Sequence, residues 1–395
     1  MVHRAFSLCR WAFLVTAVLA GGIGPQDAAA LEVTRFGEAG FLRVDYQLQA
    51  RVGTRDQGPD PAVSDDTNDF YLRRNRLSLI GAADERFGAV VQLELNGGQL
   101  LGDTRVNRED RDYEFTFLDA FATVKLADYL QARIGKTKHV LTREVQEGCF
   151  DPLSIDRSPF ILGPFTKSMD ELSTRDVGLV LWGNFREGMF QYRVAAMRGN
   201  NWGSGMPDDI GFRYTARVHA TFFDQESGVV YRGSYLGQKR VLTLGAGYER
   251  QGNAVYSSGT TGAEDYWAYT YDLFYEHPTD YGTFTVSGAY LQADFGEAGV
   301  REVLDAQNAA GERTGFYWKG GYLYWKLQGF ARFEHWAFAK LDGVAGQELD
   351  RYVAGLNFFL KGQNARLTLE YAHVDFEKRV TSDFNTVLVQ AQVQL

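Results

Sequence analysis

Apolar and polar residues alternate with a period of two along most of this chain. From Leu42 to Val52 the even positions are apolar and the odd positions are polar, and the same split recurs from Tyr214 to Phe222. From Val387 to Leu395 the odd positions are apolar, against the polar Gln390, Gln392 and Gln394. Strict alternation over about ten residues predicts a β-strand with one apolar and one polar face.

The alternation defines sixteen such segments, and their rough limits are 40–52, 70–81, 87–97, 115–126, 129–138, 174–182, 189–198, 212–223, 241–250, 266–276, 281–292, 314–323, 327–338, 351–360, 366–376 and 385–395. Long connections alternate with mostly tight turns. This spacing is typical of an up-and-down membrane barrel, in which one end carries large loops and the other carries turns. We call these ends the loop side and the turn side.

Residues 228–235 are a possible seventeenth segment. An odd number of strands would place the two ends of the chain on opposite sides of the barrel. We therefore assign this segment to an extended connection on the turn side.

The pattern predicts an all-β fold: a 16-stranded antiparallel transmembrane β-barrel. Hydrocarbon cannot satisfy backbone hydrogen bonds, so a sheet that crosses a membrane must be closed. A soluble β-sandwich or β-solenoid is the alternative, but sixteen long alternating strands would make an unusually regular one.

The first thirty residues have the pattern of a secretory signal peptide. Arg4 and Arg10 are followed by an apolar run from Trp11 to Ala20, and small residues end at Ala30. These features predict a signal peptide over 1–30, cleaved after about Ala30, and a transmembrane β-barrel over 31–395.

The composition argues against several classes of function. The net charge of −9 makes a nucleic-acid partner improbable, and two cysteines cannot form a disulfide framework or a four-ligand zinc site. No residue pattern indicates a catalytic site, a bound metal or a cofactor. Cys149, the thiol outside the signal peptide, is expected to be a bystander in a loop.

The alternation also predicts which charged side chains line the interior. It places twelve basic and eight acidic residues there, although the whole chain is acidic. A positive lumen with low-dielectric walls favours anions, while pairing of charges across strands would only brace the wall. The predicted pore-lining, anion-binding residues are Arg43, Arg74, Arg76, Lys125, Arg133, Arg193, Arg213 and Arg217. Arg73, Arg74 and Arg76 are the best candidates for a selective role, because three guanidiniums within four residues lack equal local compensation; a position at the rim is the alternative for Arg73.

The longest connection, residues 139–173, is predicted to be a functional loop. Its apolar residues, among them Phe150 and Ile155, would pack if it folded into the lumen, where it would set the pore diameter. Its basic members are Arg143, Arg157 and Lys167, and its acidic residues are more numerous.

Five blocks of residues carry a resemblance to a known family. They are Phe70, Leu72, Arg73, Arg74, Arg76 and Leu77; Leu118-Asp119-Ala120; Arg133-Ile134-Gly135-Lys136; Arg175-Asp176-Val177-Gly178; and Leu244-Gly245-Ala246-Gly247. In this order they resemble the phosphate-selective porin O and P family. The resemblance implies a homotrimeric sixteen-stranded porin of the Gram-negative outer membrane, surrounded by lipid, with an inward-folded third external loop and arginines that bind phosphate.

The leading functional prediction is a general-diffusion porin for small hydrophilic solutes, with a preference for anions such as phosphate or another oxyanion. One alternative is a barrel that sheathes a partner protein such as an electron-transfer cytochrome, whose haem the partner would supply because this chain has no CXXCH motif. A less favoured alternative is an outer-membrane hydrolase, since none of the histidines stands in a triad-like spacing.

Overall fold

The structure is a computed structural model. It describes residues 31–37, 39–56, 67–96, 114–158, 174–199, 211–256, 263–296, 300–301, 308–341, 343–378 and 383–395. The predicted signal peptide therefore lies outside the described residues, as does Lys167.

The described residues form eighteen strands, one short α-helix, α1 (Arg143–Gln146), and one 3-10 turn (Arg186–Gly188). The strands are β1 (Leu31–Phe36), β2 (Gly40–Arg55), β3 (Thr67–Ala82), β4 (Phe87–Asn96), β5 (Glu114–Ala127), β6 (Leu130–Lys138), β7 (Arg175–Phe185), β8 (Phe190–Met197), β9 (Arg213–Phe223), β10 (Val241–Tyr256), β11 (Ala263–Thr279), β12 (Gly282–Asp294), β13 (Val300–Arg301), β14 (Asn308–Tyr324), β15 (Leu327–Leu341), β16 (Val344–Lys361), β17 (Ala365–Phe376) and β18 (Phe384–Gln394).

Sixteen of these strands close into an antiparallel barrel, as the alternation predicts. Each pairs with the next along the chain, β12 pairs with β14, and β18 pairs with β2 to close the ring. The short strands β1 and β13 add to the edges of β2 and β14. Residues 224–240 connect β9 to β10 as the sequence indicated, and we call them the turn-side segment.

Several strands extend further on the loop side than predicted. β16 begins at Val344 rather than at residue 351, and β14 begins at Asn308 rather than at 314. In these extensions the outward positions include Glu312 and Glu348. Above the hydrocarbon an outward side chain need not be apolar, so the alternation disappears while the backbone pairing continues.

A bulge places adjacent residues on the same side of the wall. Between β2 and β3, Gln49 pairs with Arg74 and Ala50 pairs with Leu72, which leaves Arg73 as the extra residue. Arg73 and Arg74 are both buried, so the alternative that placed Arg73 at the rim is wrong. Strict alternation would have placed these neighbours on opposite faces.

Gly135, in one of the family-like blocks, has φ +128. A Cβ there would lie 2.9 Å from the Cα of Phe121 and closer still to the carbonyl oxygen of Ala120. The close approach of β5 and β6 at this point therefore requires glycine.

The outward face carries exposed apolar side chains, and most charged side chains of the strands are buried on the inward face. The interior is nevertheless less polar than predicted. Toward the loop side of β11–β18 it contains a buried apolar cluster that also includes Leu141 and Ile155 of the 139–173 connection; its aromatic members include Tyr266, Phe295, Trp336, Phe338, Phe376 and Phe384. Among the described residues, no helix is long and apolar enough to cross a membrane.

Candidate functional site

The interior holds more basic than acidic side chains. Among the described residues, sixteen Arg and Lys residues are buried against thirteen Asp and Glu residues, whereas the net charge of the whole chain is −9. Buried charges are tolerated when they are paired, and most of these groups form ion pairs or hydrogen bonds.

Asp156, in the 139–173 connection, lies among three guanidiniums. Its carboxylate is 2.7 Å from Arg51, 3.2 Å from Arg73 and 2.8 Å from Arg74. Burial acts to raise the pKa of Asp156, but these three arginines hold that pKa well below its ordinary value. The ionised Asp156 carboxylate thus pairs with all three guanidiniums.

A second group of charges lies beside the first. Glu334 is 2.9 Å from Arg332 and 3.1 Å from Arg351, and it also accepts a hydrogen bond from Ser158. Glu370 accepts a hydrogen bond from the backbone N–H of Ile155 at 2.7 Å. Residues 155–158 therefore contact inward-facing side chains of β2, β3, β15 and β17.

Helix α1 brings two carboxylates to one lysine of β14. Thr142 begins the helix, because its side chain accepts a hydrogen bond from the Val145 N–H at 3.1 Å. Lys319 Nζ lies 2.7 Å from Glu144 and 3.3 Å from Glu147. Burial and the Glu144 charge raise the pKa of Glu147 to about 7 against the attraction of Lys319. Burial also opposes ionisation of Glu144, but Lys319 holds the pKa of Glu144 below its ordinary value.

Two predicted basic residues of the 139–173 connection are also buried. Arg143 forms a bidentate pair with Glu226 of the turn-side segment, with both N–O distances at 2.8 Å. Arg157 donates hydrogen bonds to the backbone carbonyls of Glu144 and Val145 at 3.2 Å. Arg143 therefore joins the 139–173 connection to the turn-side segment, and Arg157 joins two parts of the connection itself.

Four predicted wall residues are buried in pairs or networks. Arg76 bonds to Glu94 at 2.8 Å, Arg213 to Asp176 at 2.7 Å, and Arg217 to both oxygens of Asp272 at 2.6 and 2.8 Å. Arg193 donates to Gln146 at 2.6 Å. Arg193 and Arg217 converge on the buried ring of Tyr231.

Three further predicted residues lie near the turn side and are more exposed. The Arg43 side chain is 40% exposed and pairs with Asp45, and the Lys125 side chain is 48% exposed and pairs with Asp128. Lys125 and Arg133 line a cavity of about 240 Å³ at this end of the barrel. These residues are separated from the buried group around Asp156.

Sequence reasoning missed Arg55, Arg175, Arg313 and Arg351, which are all buried. The period-two alternation could have identified Arg351, since Tyr352, Ala354 and Leu356 point outward and thus place Arg351 on the inward face. Arg55 and Arg313 lie in parts of strands that the sequence indicated as loops.

Together, the closed sixteen-stranded barrel and its charged interior define the class of fold to which this protein belongs: an outer-membrane porin fold. A family model, described as phosphate-selective porin O and P, matches residues 43–163. The predicted resemblance to this family is thus confirmed over a range that includes the first three blocks.

Solved structures of outer-membrane proteins share the fold. The channel DcaP of Acinetobacter baumannii is similar with a TM-score of 0.59 and 13% identity over 92% of this chain and 100% of that one. OmpT of Vibrio cholerae, in its trimer form, has a TM-score of 0.52 and 13% identity over 91% and 100%. OpdK of Pseudomonas aeruginosa with vanillate has a TM-score of 0.50 and 10% identity over 90% and 98%. A search of curated protein sequences gave no match.

Proposed function

We propose that this protein is a diffusion channel of the Gram-negative outer membrane for small hydrophilic solutes, with a preference for anions such as phosphate or another oxyanion. The observation that carries the preference is the excess of buried basic over buried acidic side chains among the described residues, with Arg51, Arg73 and Arg74 grouped around Asp156. A positive surplus inside a low-dielectric wall attracts anions and repels cations.

In this proposal the 139–173 connection folds into the lumen and sets its width. The contacts of Asp156 and Ser158 with inward-facing residues support that role. A permeating anion would exchange its hydration water for weak, successive contacts with arginines and lysines, because one strong site would trap it. The residues proposed to make these contacts are Arg43, Arg74, Arg76, Lys125, Arg133, Arg193, Arg213 and Arg217, with Arg143, Arg157 and Lys167 in the connection.

We further propose that outer-membrane lipid surrounds the barrel and that three copies assemble. The exposed apolar side chains of the outward face support the lipid contact. The trimer form of the structurally similar OmpT supports the homotrimer.

Conductance of the purified protein in planar bilayers tests the function. We expect open steps in KCl and, under a salt gradient, a reversal potential of the sign that reports anion preference. Replacing both Arg74 and Arg76 by Glu should shift that potential toward cations. Conductance in phosphate compared with chloride then tests the oxyanion. A wild-type reversal potential that reports cation preference would contradict the proposal.

A further inference from the structure

The turn-side segment, residues 224–240, reaches inward and contacts the 139–173 connection. Most turns on this side are a few residues long, whereas this one spans the seventeen residues between Phe223 and Val241. Its Tyr231 is fully buried. Two connections from opposite ends of the barrel therefore meet.

The meeting is built from backbone hydrogen bonds. The Gly148 N–H donates to the Tyr231 carbonyl at 3.0 Å, and the Tyr231 N–H donates to the Gln146 carbonyl at 3.2 Å. Glu147 and Tyr231 form a parallel β-bridge between them. Such pairing fixes the register of the two segments.

A buried ion pair also stabilises the contact between the turn-side segment and the 139–173 connection. Arg143 holds Glu226 through two hydrogen bonds of 2.8 Å and also donates to the Arg232 carbonyl at 3.1 Å. Burial acts to raise the pKa of Glu226, but the Arg143 guanidinium lowers this pKa to about 2, so the pair stays ionised at neutral pH. A bidentate arginine–carboxylate pair is among the stronger polar contacts in proteins.

Tyr231 covers basic residues that the proposed function assigns to anion contact. Its ring centroid lies 4.2 Å from the Arg193 guanidinium carbon, 4.5 Å from that of Arg143 and 5.5 Å from that of Arg217. Its hydroxyl contacts His219 Nδ1 and accepts a hydrogen bond from Arg217 at 3.4 Å. The aromatic ring of Tyr231 thus lies against the guanidinium groups of these arginines.

The segment is also tied to the wall at both of its ends. Asn184 of β7 donates to the Ser227 carbonyl at 3.0 Å, while Glu276 of β11 accepts from Ser234 at 3.0 Å and from the Gly237 N–H at 2.9 Å. Further along, Leu236 approaches Gly362 in the turn between β16 and β17. The segment therefore extends over the turn-side opening.

From these contacts we propose that residues 224–240 form a lid over the turn side of the lumen, which covers Arg193 and Arg217 with Tyr231 and is held closed by the Arg143–Glu226 pair. The proposal rests on the proposed channel function. Opening would require Glu226 and Tyr231 to leave the 139–173 connection while the wall anchors remain. Anions entering from the turn side would then reach these arginines.

Three changes weaken the lid at different points. Glu226→Gln removes the charge of the pair, and Tyr231→Ala removes the covering ring. Gly233→Val should push the turn-side segment away from the 139–173 connection, because a Cβ at Gly233 would lie 2.8 Å from the Cα of Pro152 and would collide with Glu147. Replacing residues 227–234 by a short Gly-Ser linker removes the lid altogether. Asp224→Asn is the matched control, since Asp224 bonds to the Arg240 N–H at the base of the same segment and is exposed.

Single-channel recording on the full-length mature protein is the first test. We expect the linker variant to conduct roughly two- to fivefold more than wild type and the three substitutions to raise conductance or open time, with Asp224→Asn unchanged. If all lid variants remain folded barrels and conduct as wild type does, the lid is overturned. A wild-type reversal potential that reports cations would contradict the anion preference and leave the lid's conductance test intact.

The thiol of Cys149 provides a second readout that does not depend on channel recording. Cys149 is buried and follows Gly148, the residue bonded to Tyr231. We expect a water-soluble methanethiosulfonate reagent to label it severalfold faster in Glu226→Gln than in wild type or Asp224→Asn. Equal labelling rates in the three folded proteins would count against the lid.

Discussion

At the scale of single residues, Asp156 brings three arginines together. Asp156 pairs with the three guanidiniums of Arg51, Arg73 and Arg74, and it is buried. Removing one partner from a buried ionic group leaves charges without compensation, which is strongly unfavourable.

We therefore predict that Asp156→Asn lowers the free energy of unfolding by about 3–5 kcal/mol and shifts the reversal potential further toward anions. Urea denaturation in detergent and bilayer recordings measure the two effects. Asp45→Asn is the control, because Asp45 pairs with the partly exposed Arg43 and should cost much less. A reversal potential equal to that of wild type would remove Asp156 from the selectivity argument.

At the scale of elements, α1 and β14 create a group that titrates near neutrality. Lys319 is shared by Glu144 and Glu147, and the pKa of Glu147 is raised from 4.5 to about 7 by burial first and also by the Glu144 charge. Lys319 and the nearby Arg143 and Arg157 act in the opposite direction. Between pH 4.5 and 7 the folded protein then binds more protons at Glu147 than the unfolded chain does.

The consequence is that the contribution of Glu147 to stability falls as pH rises from about 4.5 to about 7, by an amount on the order of 1–3 kcal/mol. We predict that Glu147→Gln removes this component. Unfolding of wild type and variant at pH 5 and pH 8 measures it. An identical pH dependence in the two proteins would mean that Glu147 is already ionised across this range.

At the scale of the whole molecule, the proposed contact of the outward face with lipid is what the channel function depends on. Leu369 of β17 points outward, is 47% exposed and lies beside Leu356 and Val389 of the neighbouring strands. A charge on the lipid face costs most near the middle of the bilayer and little at its borders.

Leu369→Arg should therefore lower the stability of the membrane-inserted barrel by about 2–4 kcal/mol. Tyr281→Arg, in the exposed turn between β11 and β12, should change it by much less. Denaturation from lipid vesicles compares the two. Equal effects of the two substitutions would be inconsistent with a hydrocarbon environment around Leu369.

The sequence by itself determined the number of barrel strands, their order and the end of the barrel at which each connection lies. Wherever the wall crosses hydrocarbon, each outward residue must be apolar and each inward one can be polar. The sequence of each strand therefore alternates with a period of two. The same rule correctly placed Arg74, Arg193 and Arg217 on the inward face. Above the hydrocarbon the rule no longer applies, which is why the loop-side extensions of β14 and β16 were missed.

Only the tertiary structure decided which charges meet. The bulge at Arg73 breaks the alternation, and the partners Asp156 and Arg74 are far apart in sequence. Likewise, no local pattern joins Arg143 to Glu226 or places Tyr231 over Arg193. Alternation constrains one strand at a time, whereas these contacts depend on how two connections pack within a closed wall, and that packing is a property of the whole barrel.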